Sequence, residues 1–334
     1  MTNNNSITVS VNTFNRPDSL SMCFDALTKQ AYKDFDVIVV NGGEDNPVNE
    51  IVRKFDLNIK IVKQKRKGLV EARNLCWKET NKDIVCIIDD DLIVSPNWVK
   101  EVKDTFLLSG NIGGVTGPTI IRKDEYSNRD AISFISKFEN GSVFWRTIGK
   151  FYLNFIMDGR IREIGKILDS GMFTLGSNLE ACLSNADLLD VDYLEACCMC
   201  LRRRLIEEAG GFDYCYSGTS EWSEPDLTFK VKKLGYRLVF NPKAAAEHRV
   251  SQQGVFKART YAYERSLNFI NFYFRHIKPN SLRKFIKFYS YLLFMNCYWL
   301  YKAIESRNIN WLTGIFGTVV GETKNTLFRC RKKD

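Results

Sequence analysis

Three consecutive carboxylates, Asp89-Asp90-Asp91, stand directly after the apolar run Ile84-Val85-Cys86-Ile87-Ile88. Adjacent like charges repel, so such a run either lies in water as an acidic turn ahead of a helix near Pro96 or shares a cation. Hard oxygen donors suit Mg2+ or Mn2+. In open α/β sheets ligands gather at the carboxyl ends of strands, where such a cluster can hold a divalent cation against a diphosphate. A second carboxylate pair, Glu224 and Asp226, flanks Pro225 at the start of a helical stretch, where the helix dipole favours the ionised form that a general base needs. The two lie on different faces. Glu224 is expected at the sheet edge as the base, and Asp226 in the first turn as a local cap or an acceptor-positioning group. His248, one of only two histidines, is a candidate ligand or a structural hydrogen-bonder. The run Cys197-Cys198-Met199-Cys200 invites zinc, but neighbours on a strand point to opposite faces and partner ligands are missing, so buried thiols are expected.

These side chains need a frame that delivers them to one place. Residues 7–118 alternate short β-branched runs with helix-like stretches, the pattern of a parallel sheet with crossover helices. Strands are expected at 7–11, 36–40, 59–62, 84–88 and 112–116. Pro17 opens a helix whose Leu20, Phe24 and Leu27 recur at helical spacing, and 68–80 and 96–108 are further helices. Residues 119–190 show no clear period and are expected to run over the active-site side. Order returns with a strand at 191–201, a helix at 203–209, the turn Gly210-Gly211-Phe212-Asp213, a helix at 224–234 and a strand at 236–240.

Composition narrows the function classes. The 334 residues are 45% apolar and 26% charged, ordinary for a globular chain with one large core or two modest ones. The net charge of +9 is uneven: residues 249–334 carry 16 Lys+Arg against 4 Asp+Glu, a local +12, which leaves the first 248 residues at −3. A faintly acidic body argues against nucleic acid as a partner. Ten cysteines, several inside apolar runs, are expected as reduced buried thiols, which favours the cytosol. The start Met1-Thr2-Asn3-Asn4-Asn5 lacks the basic and apolar stretches of a secretory signal.

Four segments, Val9 to Pro17, Val39 to Asp45, Gly68 to Asn74 and Ile88 to Asp91, resemble family 2 glycosyltransferases of the GT-A fold in order and spacing. The segments Glu195 to Arg203, Gly210 to Asp213, Glu224 to Leu227, and Asn241-Pro242 ahead of His248 look like that family's acceptor-side half. The likeness covers roughly residues 6–250. It implies an inverting enzyme that moves a sugar from a nucleoside-diphosphate donor, expected to be UDP-linked, to the hydroxyl of a glycan or lipid-linked acceptor. It further implies that Thr13, Phe14, Asn15 and Arg16 meet the base and ribose, and that Asn41 or Asp45 meets the base edge or ribose. The Gly68 segment carries Arg73, which would pair with the base or the carboxylate cluster. Asp89 and Asp90 would face the nucleotide, and Asp89, Asp91 and His248 the Mg2+ or Mn2+. Asn41 stands where many relatives place an acidic residue, and Glu224 where the family's Glu-Asp pair presents an Asp.

The fold expectation is therefore a GT-A α/β domain over 1–250, with a nucleotide-sugar half at 1–118, an acceptor half at 119–250 and a helical segment at 251–334. Within the tail, 288–301 and 308–321 are uncharged runs of 14 residues. As helices each would be about 21 Å long, short of the ~30 Å hydrocarbon core, so interfacial helices on the cytoplasmic face of an anionic membrane are expected. The alternatives are packing on the body or a homo-oligomer interface. An oxidoreductase fails for want of Gly-x-Gly-x-x-Gly after the first strand, where Asn12-Thr13-Phe14-Asn15-Arg16-Pro17 stands. A non-catalytic sugar-nucleotide binder is the other rival.

Overall fold

The computed structural model describes residues 5–122, 130–183, 187–249 and 261–331. Eleven strands are present among them: β1 (Ile7–Thr13), β2 (Phe35–Asn41), β3 (Ile59–Lys63), β4 (Ile84–Asp89), β5 (Leu92–Val94), β6 (Ile112–Thr116), β7 (Thr119–Ile120), β8 (Leu189–Asp190), β9 (Cys198–Arg202), β10 (Arg237–Phe240) and β11 (Ala246–His248). Eight form one sheet in the order β3-β2-β1-β4-β9-β6-β10-β8, and β5-β11-β7 form a small second sheet. Strands β3, β2, β1 and β4 are mutually parallel, and β9 runs antiparallel between β4 and β6. Helices cover both faces, so β1 is buried along its whole length, its polar Thr8, Ser10 and Asn12 included.

The two faces of β1 differ in chemistry. Val9 and Val11 enter an aliphatic core with Leu20, Phe24 and Leu27 of the helix Pro17–Thr28. The opposite positions are small and polar, which lets the helix Leu69–Lys78 approach: Ser10 Oγ donates to Cys76 O at 3.1 Å. The expected elements of 7–118 fall in place with ends shifted by one or two residues. The strand expected at 191–201 is shorter and begins at Cys198, because a turn intervenes in which Cys198 N donates to Glu195 O at 3.0 Å. The segment 119–190, which showed no period, contains the helices Asp130–Asn140 and Val143–Phe151. Six of the nine described cysteines are buried, and all nine are free thiols.

The C-terminal segment differs most from expectation. Instead of two short runs it forms the helices Ala262–Phe272, Leu282–Glu305 and Thr313–Arg331. Ser281 caps the second by accepting from Lys284 N at 3.3 Å, so that helix starts before the uncharged run and continues through Lys284 and Lys287. Its buried positions Phe288, Leu292, Met295 and Trp299 follow helical spacing and join the same core as Val40, Val85 and Leu227. Tyr273 and Phe288 stack at 3.9 Å, and Trp299 Nε1 donates to Ser266 Oγ at 2.9 Å. The boundary expected at 250 lies in a stretch outside the described residues, and the helices Ala262–Phe272 and Leu282–Glu305 pack into the core of the sheet domain. No helix among the described residues is long and apolar enough to cross a membrane.

Because Phe288 is fully enclosed, Phe288→Ala should cost about 3–5 kcal/mol. Urea denaturation followed by far-UV dichroism and by tryptophan fluorescence should show one transition moving to lower urea in both signals. An early, separate loss of a small helical fraction would mean that the tail folds apart from the sheet.

Candidate functional site

The parallel register brings the carboxyl ends of three strands level, with Thr13 beside Asn41 and Asn12 beside Asp89. At this edge Thr13 Oγ1 donates to Asp90 Oδ2 at 2.7 Å, Arg16 Nε donates to the same oxygen at 3.2 Å, and Arg16 Nη1 donates to Asp91 Oδ2 at 3.0 Å. Arg16 Nη2 also pairs with Asp90 Oδ1. Thr13 and Arg16, expected against the nucleotide, thus hold the acidic turn itself. The reason is that Asp90 is fully buried, and a buried carboxylate requires a counter-charge and donors. Burial lifts the Asp90 carboxyl to about 7 while Arg16 opposes it.

Asp91 is shared with the second sheet. Antiparallel β5 and β11 pair Leu92 with His248, Arg249 N donates to Asp91 O at 2.9 Å, and His248 Nε2 comes within 3.3 Å of Asp91 Oδ1. Asp89 lies between the clusters. Burial and then the charge of Asp91 raise its carboxyl, while Arg73, His248 and Arg16 oppose them. Among the described residues no three His, Cys, Asp or Glu side chains form a ready-made metal cage. The Asp91–His248 pair fits a divalent cation of which a diphosphate and water complete the coordination, since hard cations such as Mg2+ are commonly held by one or two carboxylates plus substrate phosphates.

The turn after β2 is organised from within. Asn41 is fully buried, its Nδ2 donating to Glu44 O at 3.0 Å and to Asp45 Oδ1 at 2.9 Å, its Oδ1 accepting from Gly43 N at 2.9 Å. Asn15, at φ 51°, accepts from Glu44 N at 2.8 Å and ties this turn to β1. Phe14 is 48% exposed at the same edge. Gly68, at φ 118°, opens the helix Leu69–Lys78, and its carbonyl accepts from Gln64 Nε2 at 2.7 Å.

That helix carries Arg73 into the other cluster. Arg73 Nη1 pairs with Glu224 Oε1, with side-chain exposures of 3% and 4%, and donates to Ser223 Oγ at 3.2 Å. Arg73, expected at the nucleobase or the Asp cluster, pairs with the base candidate and also acts on Asp89. Burial raises the Glu224 carboxyl above its usual range, and Arg73 opposes the shift. Glu224 occupies the first turn of the helix Ser223–Lys233, and Trp222 ahead of it takes a left-handed φ of 76° while stacking on Phe272 at 4.9 Å.

Asp226, expected in the first turn as a local cap or an acceptor-positioning group, lies in that turn and gathers partners from the tail. Fully buried, its Oδ1 accepts from Tyr216 at 3.1 Å, Arg275 at 2.9 Å and His276 at 2.8 Å, and its Oδ2 pairs with Lys230 at 2.6 Å. Burial pushes this carboxyl up, but the bonds from His276 and Lys230 and the charges of Lys230 and Arg275 outweigh burial and hold it far below the carboxylate range. A carboxylate so held is an anchor rather than a proton acceptor.

Sequence reasoning passed over two groups. Arg275 and His276 come from the tail and gave no local signal. Glu195, seen only as part of a motif, meets Ser177 and lies 3.5 Å from Tyr193 Oη, with its backbone N donating to Thr116 Oγ1 at 3.3 Å. Asn178, which donates to Thr119 Oγ1 at 2.7 Å, extends this polar floor toward β7 and β11.

Residues 8–163 match the family model described as Glycosyl transferase family 2. The chain is 30% identical over 132 residues to chondroitin synthase of Escherichia coli, covering 38% of this chain and 19% of that protein. It is 31% identical over 97 residues to glycosyltransferase GlyA of Streptococcus pneumoniae serotype 4, covering 28% of this chain and 14% of that one. The chain thus spans less than a fifth of the length of these relatives. Among solved structures, mannosyltransferase PcManGT from Pyrobaculum calidifontis, in complex with GDP-Man and Mn2+, matches with a TM-score of 0.52 and 16% identity, over 96% of this chain and 86% of that one. GalNAc-T7 with UDP, GalNAc and Mn2+ matches with a TM-score of 0.54 and 12% identity, over 82% and 48%. The architecture is GT-A.

The Asp226 cluster sets a pH dependence. Its folded carboxyl is depressed, so its contribution is complete above the ordinary Asp value of about 3.9 and is lost as pH falls toward the folded value. Asp226→Asn should destabilise the protein by about 3–5 kcal/mol at pH 7 and flatten the loss of stability below pH ~4. Urea titrations at several pH values measure both. Parallel acid limbs in wild type and variant would remove Asp226 from this role.

Proposed function

We propose that this chain, whose residues 8–163 match the family model described as Glycosyl transferase family 2, transfers a sugar, with inversion, from a nucleoside-diphosphate sugar to a glycan hydroxyl. One observation carries the reading. The base candidate and the cation candidates meet at Asp89, which feels Asp91, Arg73 and His248 and is in turn felt by Glu224. A donor whose diphosphate lay at Asp91 and His248 would sit beside Asp89, whose charge acts on Glu224, and Glu224, its carboxyl raised by burial, is the base candidate on that side.

The acceptor oxygen attacks the anomeric carbon from the side opposite the diphosphate. As the new C–O bond forms and the bond to the diphosphate breaks, the hydroxyl proton passes to Glu224. Arg73 orients that carboxylate and neutralises it until the proton arrives. A divalent cation, when bound, supplies neutralisation of the charge that develops on the leaving diphosphate. Two solved neighbours hold Mn2+ with a GDP- or UDP-based ligand, which supports a metal-dependent nucleotide-sugar donor here; Mg2+ would serve the same oxygen-rich site. Phe14 offers an exposed ring for the nucleobase, and Asn15 and Asp45 line the same edge. The relatives are by name a chondroitin synthase and a glycosyltransferase, and a glycan or lipid-linked acceptor close to a membrane agrees with the basic, aromatic tail; the reading is of an enzyme that works at the cytoplasmic face of a membrane.

Glu224→Gln should lower turnover by 10²–10⁴-fold with donor affinity nearly intact, since removal of a general base costs that much. Steady-state kinetics with calorimetric donor titration separate the two quantities, and undiminished turnover would exclude Glu224 as the base.

Asp91→Asn should abolish the thermal stabilisation that Mn2+ adds to a UDP- or GDP-sugar, because a ligand of the folded state raises stability by mass action. A nucleotide-sugar shift of equal size with excess chelator would show that no cation takes part.

A further inference from the structure

Exposed large apolar side chains are unevenly spread. Most of those in the described residues fall on three neighbouring elements, the helices Val143–Phe151 and Leu282–Glu305 and the stretch from Ile309 to Val319. On the helix Leu282–Glu305, Ile286, Leu293 and Leu300 recur every seven residues, opposite the buried Phe288 and Met295. Leu293 is 67% exposed, and the face continues with Ile304 and, past the connection, Ile309 and Phe316. The helix Val143–Phe151 belongs to the excursion between strands, yet it joins the tail directly. Trp145 packs edge-on against Tyr301 at 5.5 Å, and Tyr152 lies 4.8 Å from Phe294. It too turns apolar side chains to solvent, with Phe144 at 65% exposure.

We propose that these faces form one platform that seats in the headgroup layer of an anionic bilayer, with the helix Val143–Phe151 as part of it. It extends the membrane-proximal acceptor reading above by assigning the surface and its partner, and its test does not depend on sugar transfer. Charge selects the partner. The exposed Arg146, Lys150 and Arg283 lie on these elements, the exposed Arg307 and Lys324 between and beyond them, and Glu305 and Glu322 are the only acidic residues between 282 and 331. A two-fold contact with a second copy would set the same cationic surfaces against one another, whereas anionic headgroups complement them. An apolar stripe with basic neighbours on helices that do not span is the arrangement of a surface-lying helix, and here two such elements share one core while the helix Val143–Phe151 packs on them through Trp145 and Tyr301.

The full chain should sediment with phosphatidylcholine vesicles containing phosphatidylglycerol, weakly with phosphatidylcholine alone, and less as salt rises without falling to zero. Leu293→Glu, Leu300→Glu and Phe144→Glu should each lower partitioning at least about tenfold, since each puts a charge in place of an inserted apolar group. Leu107→Glu and Leu108→Glu, equally exposed on the helix Trp98–Leu108 of the sheet domain, should leave it unchanged. The substituted sites are exposed, so unchanged melting temperatures confirm folding. Equal losses in both sets, or no loss in the first, would overturn the platform. So would a dimer by light scattering that the first set dissociates while vesicles bind nothing. Donor binding by the same proteins is read separately: wild type that binds vesicles but no nucleotide sugar would sink the transferase reading and leave the platform standing.

Discussion

Negative charge crowded at the end of β4 is the constraint around which the rest is arranged. Two unit charges 4 Å apart at an effective dielectric near 20 interact by about 4 kcal/mol, so three consecutive carboxylates cannot remain ionised without help. The help comes from three directions: Arg16 from the start of the first helix, His248 from the small second sheet, and Arg73 from the helix after β3. Each arrives only if a different crossover is completed, so the site forms when the fold does. The same field favours whatever cation and diphosphate together restore neutrality.

The helix that bears Glu224 is held by a second ionic cluster. Asp226 gathers Tyr216, Lys230, Arg275 and His276, joining the helix that bears Glu224 to the tail. Replacing such a buried cluster with apolar side chains is often neutral in stability, and its value lies in the geometry it admits. Here it admits one: any rotation of the helix Ser223–Lys233 that would displace Glu224 from Arg73 also pulls Asp226 away from several donors.

Much of this was legible in sequence where one strand or helix carries the whole signal. Strands β1, β2 and β4 are buried almost throughout and carry β-branched runs, unbroken from Ile84 to Ile88, so the Asp triplet after β4 stood out, as did the helix from Pro17. Pairings between distant residues left no such trace. Arg16 and Asp90 lie 74 positions apart, and Asp226 and His276 lie 50 apart, with no period linking them. The helix Ala262–Phe272 was hidden because it buries Ser266 and Asn268 as well as its apolar residues, which blurs the amphipathic pattern. The helix Val143–Phe151 was hidden for the converse reason, since it leaves Val143, Phe144 and Phe151 outside. The tail helix was cut short because uncharged residues were counted, whereas Lys287 is buried against Asp158 and continues the helix.

The shared core between the sheet and the helix Leu282–Glu305 has a mechanical consequence. Phe288, Leu292, Met295 and Trp299 fasten that helix to the body along most of its length, so it is a foot and not a leash. A tethered enzyme samples a volume set by its linker and reaches acceptors at many heights, whereas a footed one holds its cleft at a single height and tilt above whatever the foot rests on. On the proposed transfer at a membrane, acceptors would then be selected by how far their hydroxyl projects, a ruler made of side-chain packing, and lengthening or shortening the acceptor's stalk would change which sugar comes within reach.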